Sequence, residues 1–246
     1  MPAETATRHH ATWERLTRES LWRQVDAEHN ARIIECLAPG SRVLDLGCGY
    51  GSLTHALWRR GFDVLGIDID ETFIRTGRQA FPDLPADRYA ALPLSQLAAE
   101  GRRFDAVVMR DTMHHLYEEC PIDSIMGDVE RVLAPGGRLV VFDPQPNWVV
   151  KVCRRIIGHR DAECSARQAR DLLRARGWRI ERMDFTEAIG LPLSGGYVGR
   201  EWIPPRPELC RAVVGLNRVL SVFLNAVGLG PVLLWRYRLV AVRDSA

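Results

Sequence analysis

Residues Arg42 to Leu57 read RVLDLGCGYGSLTHAL. Val43, Leu44 and Leu46 form a short apolar run suited to a strand buried on both faces of a parallel sheet. Gly47, Gly49 and Gly51 follow it at every second position. Beyond them Ser52 is placed to cap a helix whose apolar residues Leu53, Ala56 and Leu57 recur at helical spacing. The stretch therefore reads as strand, tight glycine loop and helix. Glycines let a backbone approach a ligand closely, and a helix start offers unpaired N–H groups. Nucleotide-like ligands exploit that geometry.

Spacing narrows the ligand. A dinucleotide fingerprint requires glycines at its first, third and sixth positions, here Gly47, Gly49 and Ser52, and the last fails. A second strand, Asp63 to Ile67 (DVLGI), leads to Asp68, seventeen residues beyond Gly51. An acid there can accept both hydroxyls of a ribose, so the ligand is expected to contain a nucleoside. No Lys-Ser or Lys-Thr follows the glycines, as a P-loop requires.

VLDLGCGYG, the acid in GIDID, the strand FDAVVMRDTMHHL and the unit LAPGGRLVVFDP, in this order, resemble the class I S-adenosylmethionine-dependent methyltransferases. More narrowly they are similar to the small-molecule and lipid-quinone methyltransferases that carry a like HHL and PGG. The resemblance runs from Ile33 to Phe185. It implies a Rossmann-like, doubly wound α/β fold with a mostly parallel seven-stranded sheet, and methyl transfer from S-adenosylmethionine, leaving S-adenosylhomocysteine. Carried over residue by residue, it implies cofactor contacts at Asp45, Gly47, Cys48, Gly49, Gly51, Asp68, Ile69 and Arg110. The family's aspartate after the third strand has no counterpart, because Ala90-Ala91 stand there. Backbone groups or Gln96 are left to hold the adenine.

Composition sets the outer limits. A chain of 246 residues, 46% hydrophobic, suits one domain with a sizeable core. Its 33 basic and 31 acidic residues are spread along the sequence, giving a net charge of +2, so nothing calls for nucleic acid. The six cysteines form no CxxC pair and Cys48 lies in the glycine loop, which reads as reduced thiols and a cytoplasmic protein. Met1 to Asn30 is charged, without the apolar core of a signal peptide. No metal site is expected.

In chain order, Thr12 to Leu37 reads as one or two helices, and residues 1–38 as an N-terminal helical cover. In the resembled family such a leader covers the cofactor, which makes Trp13, Trp22 and His29 candidates for that cover, with ordinary helix packing as the alternative. Asp70 or Thr72 suits a helix cap, with Phe73 and Ile74 facing the sheet. Phe104 to Met109 is a fourth strand, so Arg110 and Asp111 face the cleft by position. Arg110 either lies by the cofactor or forms a surface ion pair. His114 and His115 follow; histidine is the side chain best poised to take a proton near neutral pH. Either is a candidate general base, or both are helix-start residues bonding locally. Asp143, ending the fifth strand Arg138 to Phe142, either orients the acceptor or acts as a base, or forms a turn before Pro144.

Ser165 begins a helix that stops at Gly177, and Arg179 to Phe185 is the sixth strand, closing a core of residues 39–185. In the resembled fold the sixth and seventh strands pair antiparallel, and the remaining strand candidate is Leu234 to Val242, within 234–246. Between them residues 186–233 form an inserted loop and helix, read as a substrate lid. Ile189 to Pro207 is a binding loop carrying Tyr197, Glu201 and Trp202. Glu208 to Val227 is helical, with Leu209, Val213, Leu216, Leu220, Phe223 and Val227 on one face and Arg211, Arg218 and Asn225 opposite. The regularity of that stripe favours packing on the sheet, with peripheral membrane contact through 208–235 as the alternative. Gly228, Gly230 and Pro231 interrupt the uncharged run and argue against a span.

The leading expectation is a methyltransferase for a small, apolar or lipid-like acceptor. A cofactor-binding regulatory or partner protein without turnover is the alternative. A dehydrogenase is disfavoured by Ser52.

Overall fold

A computed structural model describes residues 18–156, 162–196 and 201–243. The cover candidate Trp13, the loop residue Tyr197 and the ends of the chain lie outside the described residues. The elements are α1 (Leu21–Ile34), β1 (Arg42–Leu46), α2 (Ser52–Trp58), β2 (Asp63–Asp68), α3 (Glu71–Ala80), β3 (Tyr89–Ala91), α4 (Leu94–Ala99) and β4 (Phe104–Arg110). They continue with α5 (Met113–Glu119), α6 (Ile122–Val132), β5 (Leu133–Pro144), α7 (Trp148–Ile156), α8 (Ala166–Ala175) and β6 (Trp178–Thr186). The insertion supplies α9 (Gly190–Leu193), α10 (Pro207–Ala226) and α11 (Gly230–Leu233), and β7 (Arg236–Arg243) closes the sheet.

The seven strands lie in the order β3-β2-β1-β4-β5-β7-β6. Strands β1 to β5 pair parallel and β7 pairs antiparallel with β6, as the resemblance implies; β7 also pairs antiparallel with β5. Strand order reverses between β1 and β4, so their loops leave on opposite sides and open a crevice at the carboxyl ends.

Alternating strand residues feed two cores, because successive side chains point to opposite faces. Leu44, Leu46, Ile67, Val107, Met109 and Val141 pack with α4, α5, α6 and α8. Val43, Val64, Val108, Val140 and Phe142 pack with α1 and α2. Two local cap signals hold where they were read. Asp70 caps α3 through Thr72 N–H at 2.7 Å, and Ser165 with Gln168 forms a reciprocal capping box on α8.

The inserted helix departs from expectation. Of the apolar stripe of α10 only Val213 is buried, while Leu209, Leu216, Phe223 and Val227 are exposed. Its buried face carries Cys210, Val213, Asn217 and Ser221 instead. The physical reason is the sheet edge. β6 is the last strand, and its outward backbone groups need partners. Asn225 Nδ2 donates to the Phe185 carbonyl at 2.6 Å, and Asn225 Oδ1 accepts the Phe185 N–H at 3.1 Å. Asn217 Oδ1 accepts the N–H groups of Ala188, Ile189 and Gly190 at 2.9 to 3.1 Å. Satisfying five backbone groups orients the helix, and the apolar stripe turns outward.

Candidate cofactor and acceptor site

Parallel registry of β1 with β2 sets Leu46 beside Ile67, so the glycine loop and Asp68 emerge together. Gly47 and Cys48 N–H groups both bond the Ile67 carbonyl, at 2.9 and 3.0 Å. Gly47 has φ 71°, and a Cβ there would lie 2.5 Å from Thr112 Cγ2. Gly51, φ 79°, is the residue preceding α2, and its missing Cβ leaves room for the Tyr89 ring at 3.1 Å. Only glycine fits either position without strain.

Ser52 is therefore not the cap. Its hydroxyl donates to Asp26 Oδ2 at 2.5 Å and accepts from Asn30 Nδ2 at 3.2 Å, tying the start of α2 to α1. The competing partner is a buried carboxylate, a stronger acceptor than the helix N–H groups are donors to a hydroxyl.

Asp68 Oδ2 accepts the Gly49 N–H at 2.9 Å and Oδ1 accepts Asp70 N–H at 3.0 Å. These two bonds fix the carboxylate in plane and leave lone pairs for further donors. Ile69 beside it is 82% exposed, an apolar side chain standing open at the end of β2. Asp45 is buried below the loop and accepts from Thr54 Oγ1 at 2.7 Å. Burial pushes its carboxyl up to about 6, against the Thr54 hydrogen bond and Arg110. Burial also pushes the Cys48 thiol well above its ordinary value, helped by Asp45 and Asp68, so this cysteine is no nucleophile. Tyr89, at the start of β3, donates its hydroxyl to the Gly49 carbonyl. No local signal marked Tyr89, because only the fold carries β3 under the loop.

Arg110 is not a surface ion pair. Its guanidinium turns under α1 to bond Asp26 and Asn30, with its side chain 10% exposed. Trp22, read as a cover candidate, is buried on the same helix. Gln96 is exposed on α4 and donates to Glu100 at 3.0 Å, away from the loop.

Asp143 is not a turn former. It is fully buried and accepts the N–H groups of Thr112 (3.0 Å) and His114 (2.8 Å), and it lies 2.9 Å from His114 Nδ1. It thus caps α5 from across the sheet, a role that spacing along the chain cannot reveal. His114 is buried, whereas His115 is exposed and its ring lies tilted against that of His114, with centroids 4.2 Å apart. Sequence reading also missed a second pair. His29 Nε2 of α1 lies 3.1 Å from Glu187 Oε1, both side chains being 1% exposed. Arg236, the first residue of β7, bonds Asp111 and stacks over Phe142 at 5.5 Å.

Helices on both sides of a seven-stranded sheet ordered in this way, with a left-handed glycine loop beside a carboxylate, define the class I S-adenosylmethionine-dependent methyltransferase fold. Residues 44–139 match the family model described as a methyltransferase domain. The chain is 34% identical over 103 residues to the ubiquinone biosynthesis O-methyltransferase of Acinetobacter baumannii, a match covering 41% of this chain and 42% of that protein. The chain spans under half the length of the curated relatives it matches. Among solved structures, an S-adenosylmethionine-dependent methyltransferase from Archaeoglobus fulgidus superposes with a TM-score of 0.65 at 16% identity, covering 95% of this chain and 99% of that one. The magnesium protoporphyrin IX methyltransferase of Synechocystis, with bound S-adenosylhomocysteine, gives 0.61 at 19% identity, covering 98% and 95%.

Proposed function

We propose that this protein is an S-adenosylmethionine-dependent methyltransferase for a small, apolar or lipid-like acceptor. The observation that carries the reading is the site at the ends of β1 and β2. There a left-handed glycine loop, an oriented Asp68 carboxylate and the open Ile69 side chain stand together. Those groups fit an adenosyl moiety: the carboxylate takes ribose hydroxyls and Ile69 covers a base face. Gly47, Cys48, Gly49 and Gly51 line the approach, Asp45 supports it from below, and Arg110 with Asp26 offers opposite charges suited to an α-amino carboxylate.

When bound, the cofactor supplies an electrophilic methyl group on a sulfonium. The chain's part is to align the acceptor, exclude water and remove a proton where the acceptor carries one. His114, His115 and Asp143 sit at the right strand ends for that work, Asp143 by holding α5 and His114 in place. Residues 186–233 act as the substrate lid and the described part of 1–38 as the cover, joined by the packing of Leu21 and Val25 against Cys210 and Val213.

The outward face of α10 supports the lipid-like acceptor. By length and composition α10 is apolar enough to cross a membrane, yet its Asn217 and Asn225 are bonded to the backbone after and within β6. Leu216, Val219, Val222 and Phe223 instead form a face for peripheral membrane contact. Cys36, Cys48, Cys120, Cys164 and Cys210 are free thiols, which supports a reducing, cytoplasmic setting.

Thermal unfolding with S-adenosylhomocysteine, against a nicotinamide dinucleotide control, tests the cofactor. A ligand at a hundred times its dissociation constant adds about 2.7 kcal/mol, a shift of roughly 5 to 10 °C for a chain of this size. No shift with the folded protein refutes the reading.

A further inference from the structure

His29 projects from the buried face of α1 onto the carboxyl end of the sheet. Its ring lies 5.0 Å from that of Phe142, the residue before Asp143, and Arg236 stacks over the same Phe142. Antiparallel pairing brings Arg236 beside Pro144, so the amino end of β7 shares the edge where β4 and β5 end. On the proposed function, an acceptor meets the methyl group at that edge, beside the Arg110–Asp26 pair.

Glu187 orients His29. It follows β6 in a left-handed backbone conformation, φ 73°, which a non-glycine residue adopts at a cost. Its Oε2 accepts the Leu191 N–H at 2.7 Å and its Oε1 accepts Asn217 Nδ2 at 2.8 Å. Asn217 in turn is fixed by the three N–H groups that begin α9. Asn217, Glu187 and His29 therefore form a line from the inserted helix to the N-terminal helix. Glu187 Oε1 stands 3.1 Å from Nε2 and so holds a negative charge against that side of the ring. Among the described residues His29 Nδ1 accepts no hydrogen bond. A carboxylate against one ring nitrogen and an unengaged second nitrogen is the arrangement of a general base. The other pair differs in kind, since Asp143 is engaged by the backbone N–H of the same histidine it holds and so serves the start of α5.

We infer that His29, oriented by Glu187, takes the proton from a hydroxyl acceptor during methyl transfer. This rests on the methyltransferase reading. The acceptor O–H proton passes to His29 Nδ1 as the oxygen forms a bond to the methyl carbon. The methyl–sulfur bond breaks with its electron pair remaining on sulfur, and the imidazolium is held beside Glu187 until it releases the proton to solvent. The groups facing His29 are Glu187 from the end of β6, Arg236 from β7 and Arg110 from β4. Burial pulls His29 below its ordinary value, opposed by Glu187 and reinforced by the two arginines, which leaves the ring neutral and ready to accept at pH 7. Because its three members come from α1, the β6 exit and α10, the base is complete only when cover and insertion are both seated.

Two measurements decide. Nitrogen NMR of the S-adenosylhomocysteine complex at pH 7 is expected to show His29 protonated on Nε2 alone; an Nδ1–H tautomer or an imidazolium overturns the proposal. Methylation is then followed with phenols of graded acidity, from 4-methylphenol to 4-nitrophenol, in wild type, His29→Ala and Glu187→Gln. The expected loss in kcat for His29→Ala is about 10²- to 10⁴-fold with 4-methylphenol and under about tenfold with 4-nitrophenol, which is already about half ionised at pH 7. Glu187→Gln is expected to move the acid limb of the pH profile. Equal losses across the series indicate a structural role and overturn the proposal, as does no loss at all. Both variants should keep the S-adenosylhomocysteine thermal shift. Its absence in wild type defeats the methyltransferase reading instead, while the tautomer tests His29 on its own.

Discussion

Gly77 lies inside α3, where helix propensity alone says that alanine is better by about 1 kcal/mol. The structure reverses that sign. A Cβ at Gly77 would stand 2.5 Å from the Tyr50 carbonyl oxygen and 2.5 Å from the Tyr89 hydroxyl. Tyr50 belongs to the glycine loop, and the Tyr89 hydroxyl already bonds Gly49, so neither atom is the free end of a flexible side chain. Overpacking of this kind costs about 1–3 kcal/mol. Net of the propensity gain, Gly77→Ala is expected to destabilise by up to about 2 kcal/mol, a fall in Tm of up to roughly 8 °C for a chain of this length. Because relief requires the loop to move, S-adenosylhomocysteine affinity should drop at least tenfold, about 1.4 kcal/mol. Gly127→Ala in α6 and Gly215→Ala in α10 are the controls, since nothing lies within 4 Å of a Cβ at either. Each should gain about 0.5–1 kcal/mol. Urea unfolding and calorimetric titration read both quantities. Stabilisation of Gly77→Ala to the level of the controls, with unchanged affinity, refutes the reasoning.

Asn217→Ala leaves three N–H groups and the Glu187 carboxylate short of a partner, so a loss of about 3 kcal/mol in urea unfolding is expected. Early proteolysis within 186–206 should accompany it. Asp45 has a folded value of about 6, raised by burial, so the native state binds more protons than the unfolded chain between about pH 4 and 6. As pH rises through that window, wild-type stability therefore falls by about 3 kcal/mol relative to Asp45→Asn, and a flat difference between the two from about pH 4 to 7 contradicts the assignment. Replacing Val222 and Phe223 by serine should abolish co-sedimentation with phospholipid vesicles while leaving Tm within about 2 °C, because both side chains are exposed. Unchanged sedimentation excludes this face as the membrane contact.

Much of the fold was legible because its signals are local. The apolar run of β1, the glycines that must adopt positive φ, and Asp70 and Ser165 at helix starts each act over a few residues. The order VLDLGCGYG, GIDID and LAPGGRLVVFDP fixed the class of sheet, and with it the positions of Asp68 and Arg110. What a side chain does once it arrives depends on residues distant in sequence. Ser52 bonds Asp26 rather than its own helix, Asp143 caps α5 across 29 positions, and Arg110 meets α1 across 84. The orientation of α10 shows the cause plainly. Its amphipathic pattern states which residues are apolar, but the outward backbone groups of β6 and the turn after it decide which face is buried. A buried N–H or C=O without a partner costs more than an exposed valine, so the amides of Asn217 and Asn225 turn inward. The same turn brings Glu187 to His29, a meeting of residues 158 positions apart that only the tertiary structure could arrange.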